Sequence, residues 1–162
     1  MITIAVNLAP TGHPAYSQIF PSEGRSVARA RALARDAFCA WGLEGLEKTA
    51  VLVVSELVTN AVRHARGPVV RVVVDRPQED RVRVGVIDRD PARLPELHDH
   101  GPATEFGRGL LLIDHECEQW GYMFMGPGRR PWGKKVWAQW STQSGVTNPV
   151  RSQAPVEQEA SR

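Results

Sequence analysis

The sequence has little cysteine and no long apolar run. Its two cysteines, Cys39 and Cys117, are far apart and lack the C-x-x-C spacing of redox and zinc motifs. Nothing in the sequence therefore favours a disulfide framework, and we expect two reduced, buried thiols. No stretch approaches the roughly 20 consecutive apolar residues of a membrane helix, and the first residues lack the basic start of a secretory signal. We expect a cytoplasmic protein without a membrane partner.

An excess of charge of one sign is also missing. The chain has 20 basic and 18 acidic residues, a formal net charge of +2, and only three of the basic residues are lysines. This near-neutral balance argues against a protein that binds nucleic acid through its overall charge. Hydrophobic residues make up 42% and charged residues 23% of the chain, which is typical of a soluble globular protein. A length of 162 residues suits one domain.

Composition divides the chain into three parts. Residues 1–15 are a short apolar segment and a linker that contains proline and glycine, and the first eight residues either add a strand or lie loose. Residues 16–141 carry the apolar periodicity of a folded domain. Residues 142–162 are polar, and we predict a disordered tail there because they cannot bury enough surface to offset their ordering entropy.

Apolar periodicity predicts three helices and five strands in the folded part. The first helix begins with Ser22 as its cap and ends at Gly42, the second spans residues 44–65, and a short third one spans residues 110–115 after a loop at 91–106. The predicted strands are 16–20, 69–75, 82–88, 118–125 and 135–140. The sum is an α/β (α+β) two-layer sandwich, with a mixed, mostly antiparallel sheet and helices on one face.

The strongest chemical signal lies on the second helix, in the sequence ELVTNAVRHA at residues 56–65. Glu56 and Asn60 are four residues apart and therefore project from one helix face. An amide oxygen is a hard ligand for Mg²⁺, which bridges nucleotide phosphates, and a carboxylate accepts a proton from an attacking hydroxyl. Taken alone, the pair is more typical of a solvated helix face.

Two further signals lie in the second half of the folded part. Asp88 ends a strand, where a carboxylate can accept a hydrogen bond from an adenine amino group, although aspartate also ends many ordinary strands. Gly107 and Gly109 let the backbone approach an anion, and the helix after them offers free N–H groups to phosphate. Arg108 adds a planar cation suited to phosphate oxygens. A flexible loop before a buried helix explains these glycines equally well.

In their order and spacing these signals resemble the ATP-binding domain shared by gyrase B, heat-shock chaperones, sensor histidine kinases and anti-sigma-factor kinases. The resemblance covers about residues 20–140, and the short chain is most similar to stand-alone actinobacterial anti-sigma-factor serine/threonine kinases. It implies a Bergerat-type sandwich, ATP and Mg²⁺ as cofactors, and a protein serine kinase that regulates transcription. The implied partners are an anti-sigma antagonist and a sigma factor, and the implied assembly is a homodimer.

The resemblance also assigns roles to residues. Glu56 is similar to the family's general base, Asn60 to its Mg²⁺-binding asparagine and Asp88 to the aspartate that reads adenine. The phosphate side of the site is then formed by residues of the second glycine box and by two residues that follow Asn60, namely Gly107, Arg108, Gly109, Leu110, Arg63 and His64.

Two departures from the family pattern leave alternatives open. The first glycine box, often Asp-x-Gly-x-Gly, is replaced by residues 88–92 without glycine, and Lys134 stands where a threonine is common. ATP binding tolerates both changes better than turnover does, so a non-catalytic module switched by nucleotide is one alternative. A nucleic-acid-binding domain that uses the basic, aromatic hairpin at residues 129–135 is another. A zinc site built from His98, His100, His115 and Cys117 fits no standard spacing.

Overall fold

One sheet and three helices make up the part of the chain that the computed structural model describes, residues 5–8, 11–64, 66–95, 105–143 and 156–158. The helices are α1 (Ser26–Ala40), α2 (Glu44–His64) and α3 (Glu105–Glu116). The strands are β1 (Ala5–Leu8), β2 (Pro14–Pro21), β3 (Val69–Gln78), β4 (Arg81–Asp88), β5 (Gln119–Met125), β6 (Gly133–Ser141) and β7 (Val156–Gln158). None of the helices in these ranges has the length and apolar character to cross a membrane.

The strands follow the order β1-β2-β3-β4-β6-β5-β7 across the sheet. Neighbouring strands are antiparallel except for β5 and β7, which are parallel. The predicted mixed, mostly antiparallel sheet is therefore confirmed. The crossover from β4 to β6 brings two strands that are distant in sequence into direct contact, and this contact shapes the candidate site.

Strand alternation buries one face of the sheet under the helices. Val72 lies opposite Val86, and Val74 lies opposite Val84, and all four side chains are buried. They share one hydrophobic core with buried side chains of both long helices, such as Phe38 on α1. The helices therefore cover one face, which confirms the predicted two-layer sandwich.

The start of α1 differs from the prediction. Arg25 occupies the N-cap position, and the buried Ser26 hydroxyl donates to the Pro21 carbonyl oxygen at 2.7 Å. The Ser22 N–H instead donates to the Pro68 carbonyl oxygen at 2.9 Å, so the prediction that Ser22 caps the helix is wrong. The end of α1 is as predicted, since Gly42 takes a φ of 69°, a conformation that favours glycine after a helix.

Two further boundaries shift. α3 begins at Glu105 and not at Leu110, so the predicted loop ends earlier and the second glycine box lies inside the helix. Within the predicted tail, Val156–Gln158 form β7 beside Gly121–Met123 of β5. At the other end of the chain, Ala5–Leu8 form the additional strand that was one of the two alternatives. The domain limits at residues 16 and 141 stay predictions.

The two thiols differ in environment. Cys117 is buried, and burial together with the nearby Asp114 carboxylate raises its pKa to about 12. Cys39 is exposed on α1, so the prediction of two buried thiols is wrong for this residue. The apolar stripe of α1 includes its neighbour Phe38, while Cys39 lies on the opposite side of the helix.

Two tryptophans hold the C-terminal end of α3 against the sheet. The Trp120 indole N–H on β5 donates to Asp114 Oδ1 at 2.9 Å. The Trp140 indole N–H on β6 donates to the Glu116 carbonyl oxygen at 2.8 Å. Because both donors come from buried, rigid side chains, they fix where α3 lies over the sheet. This placement brings the N-terminal half of α3 into contact with α2.

Gly133 on β6 packs tightly against the backbone at the end of β4. A Cβ atom there would collide with the carbonyl oxygen of Asp88, whereas a Cβ at Gly128 on the same hairpin would enter open space among the described residues. We expect Gly133→Ala to lower the free energy of unfolding by about 1–3 kcal/mol because of overpacking. The matched variant Gly128→Ala should change it by less than about 0.5 kcal/mol. Urea unfolding followed by tryptophan fluorescence measures both, and equal effects would contradict this packing.

Candidate functional site

Three of the predicted site residues meet where α2 contacts α3. A Cβ atom at Gly109 would lie 2.6 Å from Glu56 Oε2, 3.5 Å from Asn60 Nδ2 and 3.6 Å from Asn60 Oδ1. The absence of a side chain at Gly109 therefore lets α3 pack directly against the polar face of α2. The structure brings Glu56, Asn60 and Gly109 together, which the sequence suggested only through their order.

The first turn of α3 adds backbone donors to this junction. Because α3 begins at Glu105, the N–H groups of residues 105–107 have no acceptor within the helix. These groups and the partial positive charge of a helix N-terminus favour an anion. Gly107 and Arg108 contribute backbone to this turn, and the Arg108 side chain lies outside the described set. The Leu110 side chain packs against the hydrophobic core and so anchors this part of α3.

Asp88 lies at the end of β4, directly opposite Lys134 of β6. Lys134 Nζ donates to Asp88 Oδ1 at 2.9 Å and to Oδ2 at 3.0 Å, and it reaches the Asp90 carbonyl oxygen at 2.6 Å. The Asp90 N–H donates to Asp88 Oδ1 at 2.9 Å. The side chains of Lys134 and Asp88 are only 7% and 6% exposed. The residue that the sequence assigns to adenine thus forms a buried ion pair.

The turn after β4 is held by this ion pair. Lys134 joins the carboxylate of Asp88 to the backbone of Asp90, so one side chain spans the segment where the resemblance expects a glycine box. Arg89 packs over Gly67, with its Cδ 3.2 Å from the position of an added Cβ. The turn therefore contacts the connection between α2 and β3. Hydrogen bonds from a side chain therefore fix the backbone of this turn, where the family pattern has glycines.

His64 links the end of α2 to the Asp88 side of the site. Partial burial lowers its pKa, and the cations of Arg93, Arg63 and Lys134 lower it further, while Asp88 acts in the opposite direction. This lowered pKa favours the uncharged imidazole of His64. Arg63, one residue earlier, is exposed.

The family model of the histidine kinase-like ATPase domain matches residues 20–140, which is more than half of the 162 residues. The matched span contains α2, α3 and the Asp88–Lys134 pair. The chain belongs to this family. A search of curated protein sequences finds no match. Membership supports an ATP-binding regulatory function for this ATPase domain and is compatible with kinase or ATPase activity.

The side chains of this ATPase domain suit magnesium better than zinc. Asn60 Oδ1 and the Glu56 carboxylate offer hard oxygen atoms at the α2–α3 junction, which is the ligand type that Mg²⁺ prefers. Within the described ranges, no group of three His, Cys, Asp or Glu side chains is arranged to hold a metal ion. His115 contacts Glu116 at 3.1 Å and the Cys117 thiol stays protonated, while His98 and His100 lie outside the described residues.

Lys134 is the residue whose role sequence reasoning missed. The sequence identified it as a replacement for threonine, but its contact with Asp88 depends on the register between β4 and β6. Asp88 and Lys134 are 46 positions apart in the sequence, so no local pattern could pair them. The available signal was two residues of opposite charge, each at the edge of a predicted strand.

The Asp88–Lys134 pair gives a stability prediction. Lys134→Met leaves a buried carboxylate without its cation, and we expect a loss of about 3 kcal/mol in the free energy of unfolding. The double variant Asp88→Asn, Lys134→Met should lose clearly less than the sum of the two single variants, because no uncompensated charge remains. Lys48→Met, at an exposed position of α2, is the control and should stay within about 0.5 kcal/mol. Strict additivity in urea unfolding would refute the pair.

Proposed function

We propose that this chain binds Mg·ATP at the α2–α3 junction and transfers the terminal phosphoryl group to a serine of a partner protein. The contact of Gly109 with Glu56 and Asn60 carries the proposal, since it joins a metal ligand, a base and a helix N-terminus in one place. Following the resemblance, the partner is an anti-sigma antagonist, and the alternative partner in the other state is a sigma factor. The protein would act in the cytoplasm as a homodimer.

Asn60 would position the metal and the phosphates. Its amide oxygen is a hard donor that lies 3.6 Å from the position of a Cβ added at Gly109. Bound Mg²⁺ supplies charge neutralisation between the phosphate oxygens. The N–H groups in the first turn of α3 would then hold the phosphate oxygens. Positioning and charge stabilisation supply most of the catalysis in phosphoryl transfer, and both are available here.

Glu56 would act as the general base. Its Oε2 lies against Gly109 at the α2–α3 junction, and Glu56 as a residue is only partly buried. The serine proton passes to Glu56 while the serine oxygen bonds to the γ-phosphorus, and the bond between that phosphorus and the β,γ-bridging oxygen breaks. ADP leaves, and the partner keeps a phosphoserine.

A second candidate function is a non-catalytic module in which bound nucleotide sets the affinity for a partner. The buried contacts of Lys134 favour it, because they fix the turn after β4 where a glycine-rich segment would be free to move. In that case ATP occupancy shifts the population of partner-binding states without chemistry. The loss or retention of phosphorylation in a Glu56 variant separates the two candidates.

The nucleic-acid alternative is weakened by the hairpin itself. Of its cations, Lys134 and Lys135 are buried, whereas Arg129 and Arg130 are exposed. The exposed aromatic side chain is Trp132, which is 50% exposed. Two exposed arginines present less positive charge to nucleic acid than the four cations that the sequence suggested.

Asn60→Ala tests the binding site. We expect the variant to lose most of its affinity for Mg·ATP, by at least about tenfold, because the metal loses its protein ligand. Isothermal titration calorimetry of Mg·ATP into wild type and variant measures the change. Gln78→Ala removes a carboxamide at an exposed end of β3 and should bind like the wild type. Equal affinity in all three proteins would contradict the proposed site.

Glu56→Gln tests the chemistry. The variant should keep its Mg·ATP affinity within about threefold but lose serine phosphorylation of a co-purified antagonist by about 10²-fold or more, since it lacks the base. Phosphoserine is measured by intact-mass spectrometry. Glu44→Gln, in the exposed first turn of the same helix, is the control and should remain active. Unchanged phosphorylation in Glu56→Gln would remove Glu56 from the mechanism, and no phosphorylation in any protein would favour the non-catalytic module.

A further inference from the structure

The Asp88 carboxylate has most of its hydrogen-bonding capacity already in use. An ionised carboxylate offers about four acceptor positions. The Asp90 N–H and Lys134 Nζ occupy Oδ1, and Lys134 Nζ also contacts Oδ2. Within the described part of the chain, one position on Oδ2 stays open. A base that enters here must share the carboxylate with an ammonium group.

Lys134 has no donor to spare for a base. An ammonium group carries three protons, and Nζ has three acceptors between 2.6 and 3.0 Å, namely the two oxygens of Asp88 and the carbonyl oxygen of Asp90. A charge-assisted bond of this kind is stronger than a bond between the same carboxylate and a neutral amino group. The ion pair therefore competes effectively against a base at Asp88.

The fold holds Lys134 in this position. Asp88 and Lys134 are direct cross-strand partners, and the adjacent Gly133 lets β6 press against the backbone of Asp88 and Arg89. Both side chains are almost completely buried. Moving the ammonium group away would leave a buried charge on each side, which is costly.

We propose that Lys134 takes the place of the nucleobase at Asp88, so that the site holds nucleoside triphosphates through their phosphates with little preference for adenine. This inference rests on the proposed nucleotide site at Glu56, Asn60 and Gly109. It assigns the substrate class, nucleoside triphosphates in general, and identifies Lys134 as the residue that sets base selectivity.

The chemistry of the purine edges explains the weak preference. Adenine carries an amino group at position 6, a donor that can use the remaining position on Asp88 Oδ2. Guanine carries an oxygen there, which a bare carboxylate repels, whereas the Lys134 charge offsets that of the carboxylate and weakens the repulsion without donating a hydrogen bond. The ion pair therefore weakens both the attraction of Asp88 for adenine and its repulsion of guanine. With threonine at position 134 the carboxylate would stand alone, attract the amino group and reject the oxygen.

Calorimetric titrations of Mg·ATP and Mg·GTP into the wild type and Lys134→Thr test the inference. We expect the wild-type dissociation constants to lie within about threefold of each other, and Lys134→Thr to prefer ATP by about tenfold or more. Lys48→Thr, at an exposed position, is the control and should behave like the wild type. Thermal melting checks that Lys134→Thr is folded, and the wild-type comparison decides the inference even where that variant is not.

The outcomes separate this inference from the proposed function. A wild type that prefers ATP by tenfold or more overturns the role of Lys134 and leaves ATP binding intact, as does a folded Lys134→Thr without any preference. A wild type that binds neither nucleotide, beside a Lys134→Thr that binds ATP selectively, contradicts the proposed function of the natural chain and supports the competition by Lys134. Binding of neither nucleotide by either protein overturns both.

Discussion

The antiparallel pairing of β4 with β6 determines how the Asp88 end of this ATPase domain is built. It places Asp88 opposite Lys134 and presses Gly133 onto the backbone that follows Asp88. Adjacent residues of β6 then serve opposite faces of the sheet, since Lys134 bonds to Asp88 while Lys135 lies over Gly85. Burial lowers the pKa of Lys135, with a nearby carboxylate acting in the opposite direction. A shift of one residue in register would exchange these faces and bury both ammonium groups among the wrong partners.

The sequence predicted the features of the fold that depend on local periodicity. The limits of α2 agree within one residue, and β4 ends at Asp88 as expected, because an apolar stripe or an alternating run is visible in a few consecutive residues. The start of α1 was missed because Ser22 is a plausible cap by residue type, and residue type does not reveal tertiary contacts. In the structure Ser22 bonds to Pro68, and the helix begins at Ser26, whose hydroxyl bonds to Pro21.

One part of the candidate site was also predictable from local sequence patterns, and the other part was not. Glu56 and Asn60 could be placed on one face because helical geometry relates residues four apart. Their contact with Gly109 depends on where α3 crosses α2, and the two tryptophan bonds at the far end of α3 set that crossing. The Asp88–Lys134 pair depends on strand order, which no local pattern specifies. The resemblance supplied the order of the motifs, but it could not show that Lys134 would bond to Asp88.

The two halves of the site therefore follow different physical rules. At the α2–α3 junction, Glu56 and Asn60 are partly buried residues beside the first turns of α3, and the proposed function places a charged ligand there. At the Asp88 end, the charged groups complete each other, and a ligand there gains only the difference between two competing bonds. Because binding free energy comes from bonds that water cannot replace equally well, the proposed phosphate half would carry most of the affinity. In this proposal Asn60 would govern the affinity for nucleotide and Lys134 the selectivity for its base, so the two properties could change independently.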